Sequence, residues 1–231
     1  MSMQTLVVPD KKLENYVLGA RPEAAVQGTV AMDGEAKVDL KAFPVGLIPA
    51  EGVAVMPVTG KADETGAFTL DHITAASYDL NLPLSPEGTY VKSVMCNDGE
   101  ALGQSLDLST ITAGKLRIVL GTDGGKVAGR VSRDDKPMPD ATVVLLPADP
   151  SRRFPQRVRR GSSDESGQVT LKDVPPGDYL AFAWEKVEEG VWYDAEFVKA
   201  AESQAVKVQV RAKGNEAVEL QLSPAAKRSR G

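Results

Sequence analysis

The sequence predicts an all-β fold of two Greek-key β-sandwiches in tandem, with one short helix in the second. The strongest sign is a repeat, because the segment Asp63–Leu70 returns 101 positions later as Asp164–Leu171. Self-similarity at a fixed offset of domain length indicates one structural unit written twice. Around these motifs, short alternating apolar runs end at Gly, Pro, Asn or Asp about every 8–12 residues, which is typical of sandwiches.

The repeat divides the 231 residues into four parts. Residues 23–122 and 123–224 are predicted to be complete sandwiches, each large enough to bury a modest core. Residues 1–22 align, at twice the offset, with the last two strands of the second repeat, so we expect them to be the closing hairpin of a preceding repeat. Residues 225–231 form a basic tail that we expect to be disordered. The chain is therefore interpreted as a piece of a longer string of such domains.

The strands predicted in the second repeat end at turn residues, such as those of Pro175–Gly177. Tyr179–Trp184 carries apolar residues at successive positions, which indicates burial on both faces. Val206–Val210 and Val218–Leu222 alternate strictly, and we expect them to form a hairpin that turns at Lys213–Asn215 and buries one face. The remaining predicted strands are Lys126–Ser132, Ala141–Leu146 and Gln168–Leu171.

One helix is predicted, and it lies in the second repeat. Asp194–Glu202 begins with an N-cap residue, has acidic residues early and carries apolar residues at helical spacing. The first repeat instead has Ser85–Val94 followed by Asn97–Gly99, which predicts an extra strand and a turn. The two repeats are thus expected to share a frame and to differ in one connection.

Composition limits the function classes that the chain can serve. The net charge is −5, so nucleic acid is not an expected partner. Cys96 is the only cysteine and His72 the only histidine, which excludes an internal disulfide and a cysteine-based zinc cage, and no cofactor is predicted. No apolar run approaches the roughly 18 residues that span a bilayer, so membrane insertion is not predicted. The first residues lack the charged and apolar regions of a signal peptide.

The second repeat carries four motifs in order, which are Gly129–Val131, Pro139–Val143, Asp164–Val169 and Val174–Tyr179. They closely resemble the carboxypeptidase regulatory-like domain family, whose fold is a transthyretin-like (prealbumin-like, Ig-like) β-sandwich. The first repeat is similar but degenerate, since Thr74–Ser77 replaces the Pro-Pro-Gly turn.

This resemblance implies a non-catalytic module of the kind that accompanies peptidases, outer-membrane receptors and surface adhesins, and that occurs in large secreted bacterial multi-repeat proteins. It also implies a secreted, periplasmic or cell-surface location. The expected partners are neighbouring repeats of the same polypeptide, with a surface polysaccharide or protein as a further partner.

The first candidate for ligand binding is the basic run between residues 152 and 160. It offers cations for an anionic polymer and an aromatic ring to stack against it. The alternative is a solvated loop between two strands. The candidate binding residues of this run are Arg152, Arg153, Phe154 and Arg157.

The second candidate surrounds Trp192 and Tyr193. Aromatic rings beside the carboxylates of Glu188 and Glu189 suit sugar binding. Calcium fits less well, because the acids lack the order of a dedicated loop, and no metal site is predicted. The alternative is that Trp192 staples the helix to the sheet, while Trp184, in a strand, is a core residue.

No catalytic residues are predicted. The acid pairs at 63–64 and 164–165 sit at matching turn positions, where an aspartate bonds its own following backbone. His72 is interpreted as a turn residue, and Cys96 as a small buried hydrophobe. The favoured function is a non-enzymatic module that spaces or presents other domains or binds a surface ligand. The alternative is a carbohydrate-binding module that uses the Trp192 and Tyr193 region.

Overall fold

The computed structural model describes residues 24–34, 38–50, 55–82, 85–108 and 113–224. The predicted hairpin at residues 1–22 and the predicted tail at 225–231 lie outside these ranges. The chain divides into two compact units. Among the described residues, those up to Pro86 together with Val91–Leu120 form the first unit, and Glu87–Tyr90 together with those from Gly121 onward form the second.

The first unit has two sheets, with strand orders β4-β1-β9-β6-β7 and β3-β2-β5-β8. The strand β6 and the turn that follows it at residues 97–98 are the extra strand and turn predicted for this repeat. The strands are β1 Ala24–Asp33, β2 Pro44–Pro49, β3 Val58–Lys61, β4 Ala67–Ile73, β5 Ser77–Asn81, β6 Tyr90–Cys96, β7 Gly99–Glu100, β8 Ser105–Asp107 and β9 Ala113–Gly121.

The second unit also has two sheets. One has the order β14-β10-β17, with β11 paired to the end of β10, and the other has the order β13-β12-β15-β16. The elements are β10 Gly125–Arg133, β11 Lys136–Pro137, β12 Thr142–Pro147, β13 Arg159–Ser162, β14 Gln168–Val174, β15 Gly177–Trp184, α1 Ala195–Ala201, β16 Val206–Val210 and β17 Asn215–Gln221.

The sequence repeat is also a repeat of strand register. Val26 pairs with Leu70 in β1 and β4, and 101 positions later Val127 pairs with Leu171 in β10 and β14. The same β-bulge interrupts both ladders, and it places a residue with positive φ at 72 and at 173. His72 (φ 59°) is therefore a bulge residue inside a strand, which corrects the expectation of a turn.

The two sheets of the second unit enclose one apolar core, but its last two strands do not form the predicted hairpin. Strand β16 pairs antiparallel with β15, whereas β17 pairs parallel with β10 in the opposite sheet. Alternation had indicated which residues are buried, and Val208, Val210, Leu220 and Leu222 do lie in the same core. They reach it from opposite sheets, because the turn between the strands crosses from one sheet to the other.

The sheet that contains β12 and β15 is buried on its outer face as well. Leu180, Phe182 and Trp184 point away from the sandwich into a second apolar cluster, which the segment containing α1 covers. The predicted helix is confirmed, with the Asp194 carboxylate accepting hydrogen bonds at its N-terminus. In the first unit Ile48 holds the strand position of Leu146 and is 44% exposed, since the described residues there include no covering helix.

The all-β fold class with one short helix is confirmed by these sheets. Among the residues that the structure describes, no helix is long and apolar enough to cross a membrane.

Candidate functional site

The acidic pairs of the repeat motif are turn residues, as predicted. In the second unit, Asp164 Oδ1 accepts from Ser166 N at 2.9 Å, Ser166 Oγ at 2.7 Å and Gln168 N at 2.9 Å. Asp63 makes the matching three bonds to Thr65 and Ala67. Donation from the following hydroxyl is the largest cause that lowers the pKa of both aspartates. Each carboxylate is thereby occupied in closing its own turn.

Two arginines of the basic run donate hydrogen bonds to backbone carbonyls of the protein. Arg153 donates from Nε to the Pro147 carbonyl at 3.0 Å and from Nη2 to the Ala148 carbonyl at 3.2 Å. Arg159, at the start of β13, donates from Nε and Nη2 to the carbonyl of the bulge residue Asp173, at 3.2 and 2.9 Å. Its Nη1 donates to the carbonyls of residues 156 and 158, both at 3.0 Å. Burial lowers the pKa of this guanidinium.

The other residues of the run differ in exposure. Arg157 is buried and Phe154 is half-buried, whereas Arg152 is exposed. Burial raises the pKa of Tyr179, and the nearby charges of Arg157 and Arg159 oppose that shift. Arg153 and Arg159 therefore donate to backbone carbonyls, whereas Arg152 stays exposed. The solvated-loop interpretation of the run stays a prediction.

The sugar-binding interpretation requires two accessible rings, and the structure places one of them inside the protein. Trp192 is 3% exposed and belongs to the outer cluster under the helix. Trp184 is buried in that cluster, with its ring stacked on Phe182 at 4.9 Å and tilted against Phe197 at 5.7 Å. Trp192 therefore acts as the predicted staple and cannot serve as a stacking platform.

Tyr193 remains at the surface, and the structure brings it close to groups from both sequence candidates. Its side chain is 43% exposed, and its ring lies 6.2 Å from that of Trp192. Arg160 Nη2 lies 3.0 Å from Glu189 Oε1. Burial raises the pKa of Tyr193, with smaller effects from Trp192, Arg160 and Glu189. Glu188 is exposed, so the surface here holds one aromatic face beside a solvated ion pair.

A shallow cavity of about 720 Å³ lies in the first unit and was not predicted from the sequence. Its rim carries Lys61, Lys115 and Arg117, with Asp63 among them. Lys61 and Asp63 lie at and just after the end of β3, and Lys115 and Arg117 lie on β9, so the two pairs are far apart in the chain and no single local motif contains them. Among the described residues, no three His, Cys, Asp or Glu side chains group as a metal site would require.

No protein-family model and no curated protein matches the chain, so the resemblance to carboxypeptidase regulatory-like domains is not shown by these comparisons. Among solved structures, the chain is similar to a Streptococcal ancillary pilin (11% identity, 90% of this chain and 63% of that chain, TM-score 0.36). It is also similar to GBS52, the minor pilin of Streptococcus agalactiae (10% identity, 89% and 97%, TM-score 0.36).

A third similar structure is the Bacillus anthracis TIE protein (14% identity, 86% of this chain, TM-score 0.32), of whose length the chain covers 33%. Likenesses at these TM-scores establish neither a shared fold nor a shared function. The two sandwiches are established by the sheets of this chain alone.

Proposed function

We propose that the chain is a non-catalytic β-sandwich repeat module that spaces or presents neighbouring domains of a larger secreted or cell-surface protein. The observation that carries the proposal is that polar side chains of the repeat motif and of the basic run are occupied in holding the sandwich frame. Asp164 closes its own turn, and Arg159 donates four hydrogen bonds to backbone carbonyls. Side chains committed in this way stabilise a scaffold and leave little free for chemistry.

The repetition of the frame supports the same function. Two units that share strand register, including one bulge, are one structural element repeated along the chain. Residues 23–122 and 123–224 are the proposed repeats, and neighbouring repeats of the same polypeptide are the proposed partners. The secreted or surface location follows from the resemblance of the second repeat to carboxypeptidase regulatory-like domains, and is proposed on that ground.

Carbohydrate binding is the competing function, and the exposed ring of Tyr193 is its remaining support. A sugar stacked there would meet a single ring with the Arg160–Glu189 ion pair beside it. Binding sites for small ligands normally enclose most of the ligand in a concave pocket with several aromatic walls. With Trp192 buried, this surface lacks the second wall.

The test is isothermal titration calorimetry, in which neutral and acidic glycans are titrated into the whole chain. We expect no saturable binding by the wild type. Saturable binding of any glycan would overturn the spacer proposal. Loss of that binding in Tyr193→Ala, with binding kept in Met56→Ala, would assign it to the Tyr193 surface. Met56 is 80% exposed in the other unit, so its truncation is a matched removal of apolar surface.

A further inference from the structure

The first and last strands of the second unit are neighbours in one sheet, and they run parallel. Strand β10 pairs with β17 over seven positions, from Lys126 opposite Asn215 to Ser132 opposite Gln221. From Gly121 onward, β10 is the first strand of this unit and β17 is the last strand that the structure describes. One ladder of backbone hydrogen bonds therefore joins the entry of the unit directly to its exit.

Because the two strands are parallel, tension along the chain loads the ladder of hydrogen bonds in shear. A pull on both ends draws β10 toward its N-terminus and β17 toward its C-terminus. In a parallel pair these directions are opposite along a common axis, so the strands must slide past each other. Sliding loads the evenly spaced bonds of a parallel ladder together. A pull that separates the strands from one end would instead break the bonds one after another.

Further backbone bonds close both ends of the ladder. At the entry, Lys213 N donates to the Asp123 carbonyl at 2.9 Å and Lys126 N donates to the Gly214 carbonyl at 2.8 Å. At the exit, Leu222 N donates to the Ser132 carbonyl at 2.9 Å. The paired region thus extends beyond the seven register positions in both directions.

The exit is also tied to the opposite sheet. Ser223 N donates to the Ala183 carbonyl at 2.9 Å, and Glu185 N donates to the Ser223 carbonyl at 3.0 Å. These bonds attach the segment after β17 to the end of β15, next to the buried ring of Trp184. Tension at the exit must break this attachment as well as the ladder.

The ladder lies over the core of the sandwich. Val127 and Val131 of β10 and Leu220 of β17 are buried in one cluster, with Val218 packed against it. A backbone hydrogen bond shielded from water by apolar side chains is stronger than one that water can replace. Shielding on the core side therefore adds to the resistance of the pair.

We propose that the second unit bears tension along the polypeptide and that the β10/β17 pair is its mechanical clamp. This inference rests on the proposed spacer function, because tension reaches only a module with neighbours on both sides. The property is kinetic, since forced unfolding is governed by the rate of unfolding and not by equilibrium stability.

The test compares two pulling directions on the whole chain by single-molecule force spectroscopy. In a Cys96→Ser background, one variant is held by its two termini and the other by its N-terminus and Lys213→Cys. Residue 213 is exposed and lies in the turn just before β17, so the second attachment peels β17 from β10. Unfolding of either unit releases roughly 300 Å of chain, but only the second unit is pulled in different directions in the two variants. We therefore expect one unfolding peak to keep its force and the other to need severalfold more force between the termini. Equal forces in the two directions would overturn the clamp.

Two proline variants provide a matched control. Lys126→Pro removes the 2.8 Å bond to Gly214 in the clamp, and Ala148→Pro removes a 2.9 Å bond to the Asp178 carbonyl in the other sheet. We expect Lys126→Pro to lower the unfolding force between the termini and Ala148→Pro to leave it unchanged. Equal losses in both variants would contradict the clamp.

If a proline variant does not fold, the comparison of pulling directions decides alone. The glycan titration tests the spacer function independently of either measurement. A weak terminal pull without glycan binding would remove the clamp and leave the spacer proposal standing.

Discussion

At the scale of single residues, the turn before β14 depends on one anion and one glycine. Asp164 accepts three hydrogen bonds there, and Gly167 follows with φ 74°. A Cβ on this glycine would lie 2.6 Å from the Val131 carbonyl oxygen, so the close approach requires glycine. The first unit repeats the arrangement with Asp63 and Gly66. Such turns fix where each core strand begins.

Asp164→Ala should destabilise the second unit, because three donors lose their acceptor. The measurement is a urea titration followed by tryptophan fluorescence, since both tryptophans of the chain lie in this unit. Glu165→Ala is the control, because its side chain is an exposed neighbour in the same turn. An unchanged midpoint in Asp164→Ala would contradict the role of the carboxylate.

The stabilising effect of Asp164 should also depend on pH. Its pKa in the folded protein lies below the ordinary value of 3.8, since its hydrogen bonds favour the ionised form. The contribution is therefore complete above the unfolded pKa and is lost as the pH falls through the lower folded pKa. Asp164→Asn keeps an acceptor oxygen without the charge. We expect the midpoints of wild type and Asp164→Asn to differ near neutral pH and to converge in acid, and a constant difference would contradict this.

In each unit a buried tyrosine donates a hydrogen bond to the backbone carbonyl four residues before it. Removal of the hydroxyl tests how much this bond stabilises the unit. Tyr179 donates to the Pro175 carbonyl at 2.8 Å and Tyr78 to the Thr74 carbonyl at 2.9 Å. Tyr179→Phe should lower the free energy of unfolding of the second unit by about 1 kcal/mol, the usual value for one lost hydrogen bond. The tryptophan-detected transition reports this cost. Tyr78→Phe is the matched control, and it should leave that transition unchanged because it lies in the other unit.

At the scale of elements, the sequence predicted strand positions well and strand partners poorly. Alternation of apolar residues marks one buried face, so it located the strands β16 and β17 and the residues that they bury. It carries no information on which sheet a strand joins. The turn at residues 211–214 resembles a hairpin turn in composition, yet it carries the chain across the sandwich into β17, which pairs parallel with β10.

The direction of individual side chains could not be predicted for a related reason, since charge and aromaticity in a local run do not indicate where a side chain points. Arg159 looked like a solvated cation, but the bulge at Asp173 presents a carbonyl that its guanidinium satisfies. For Trp192 the sequence left two interpretations, a stacking ring or a staple, and the structure places the ring in the apolar cluster on the outer face of β15. Aligning the bulge of the two repeats would have indicated residue 173 as a special position.

Truncation of Trp192 and truncation of Tyr193 should lower the free energy of unfolding by very different amounts. Trp192→Ala removes a buried ring from the outer cluster and should cost about 3–5 kcal/mol. Tyr193→Ala should cost clearly less, because much of that ring is already in water. Urea titration followed by circular dichroism gives both free energies of unfolding. Equal costs, or a stable Trp192→Ala protein, would contradict the staple.

At the scale of the whole molecule, the two units have separate reporters. Trp184 and Trp192 lie in the second unit, whereas Cys96, the only cysteine of the chain, lies in the first. The thiol is half-buried, and burial raises its pKa, so it should react slowly while the first unit is folded. Tryptophan fluorescence and thiol labelling therefore follow the two units independently in one sample.

These reporters test whether each repeat is a cooperative folding unit. Leu145→Ala empties a fully buried position of the second unit and Ile118→Ala one of the first, at an expected cost of about 2–5 kcal/mol each. A domain with its own core unfolds on its own. Leu145→Ala should therefore shift the fluorescence transition in urea and leave thiol labelling unchanged, and Ile118→Ala should do the reverse. Both signals shifting together in either variant would mean that the two sandwiches unfold as one body, which would remove the basis for treating each repeat as a separate spacer element.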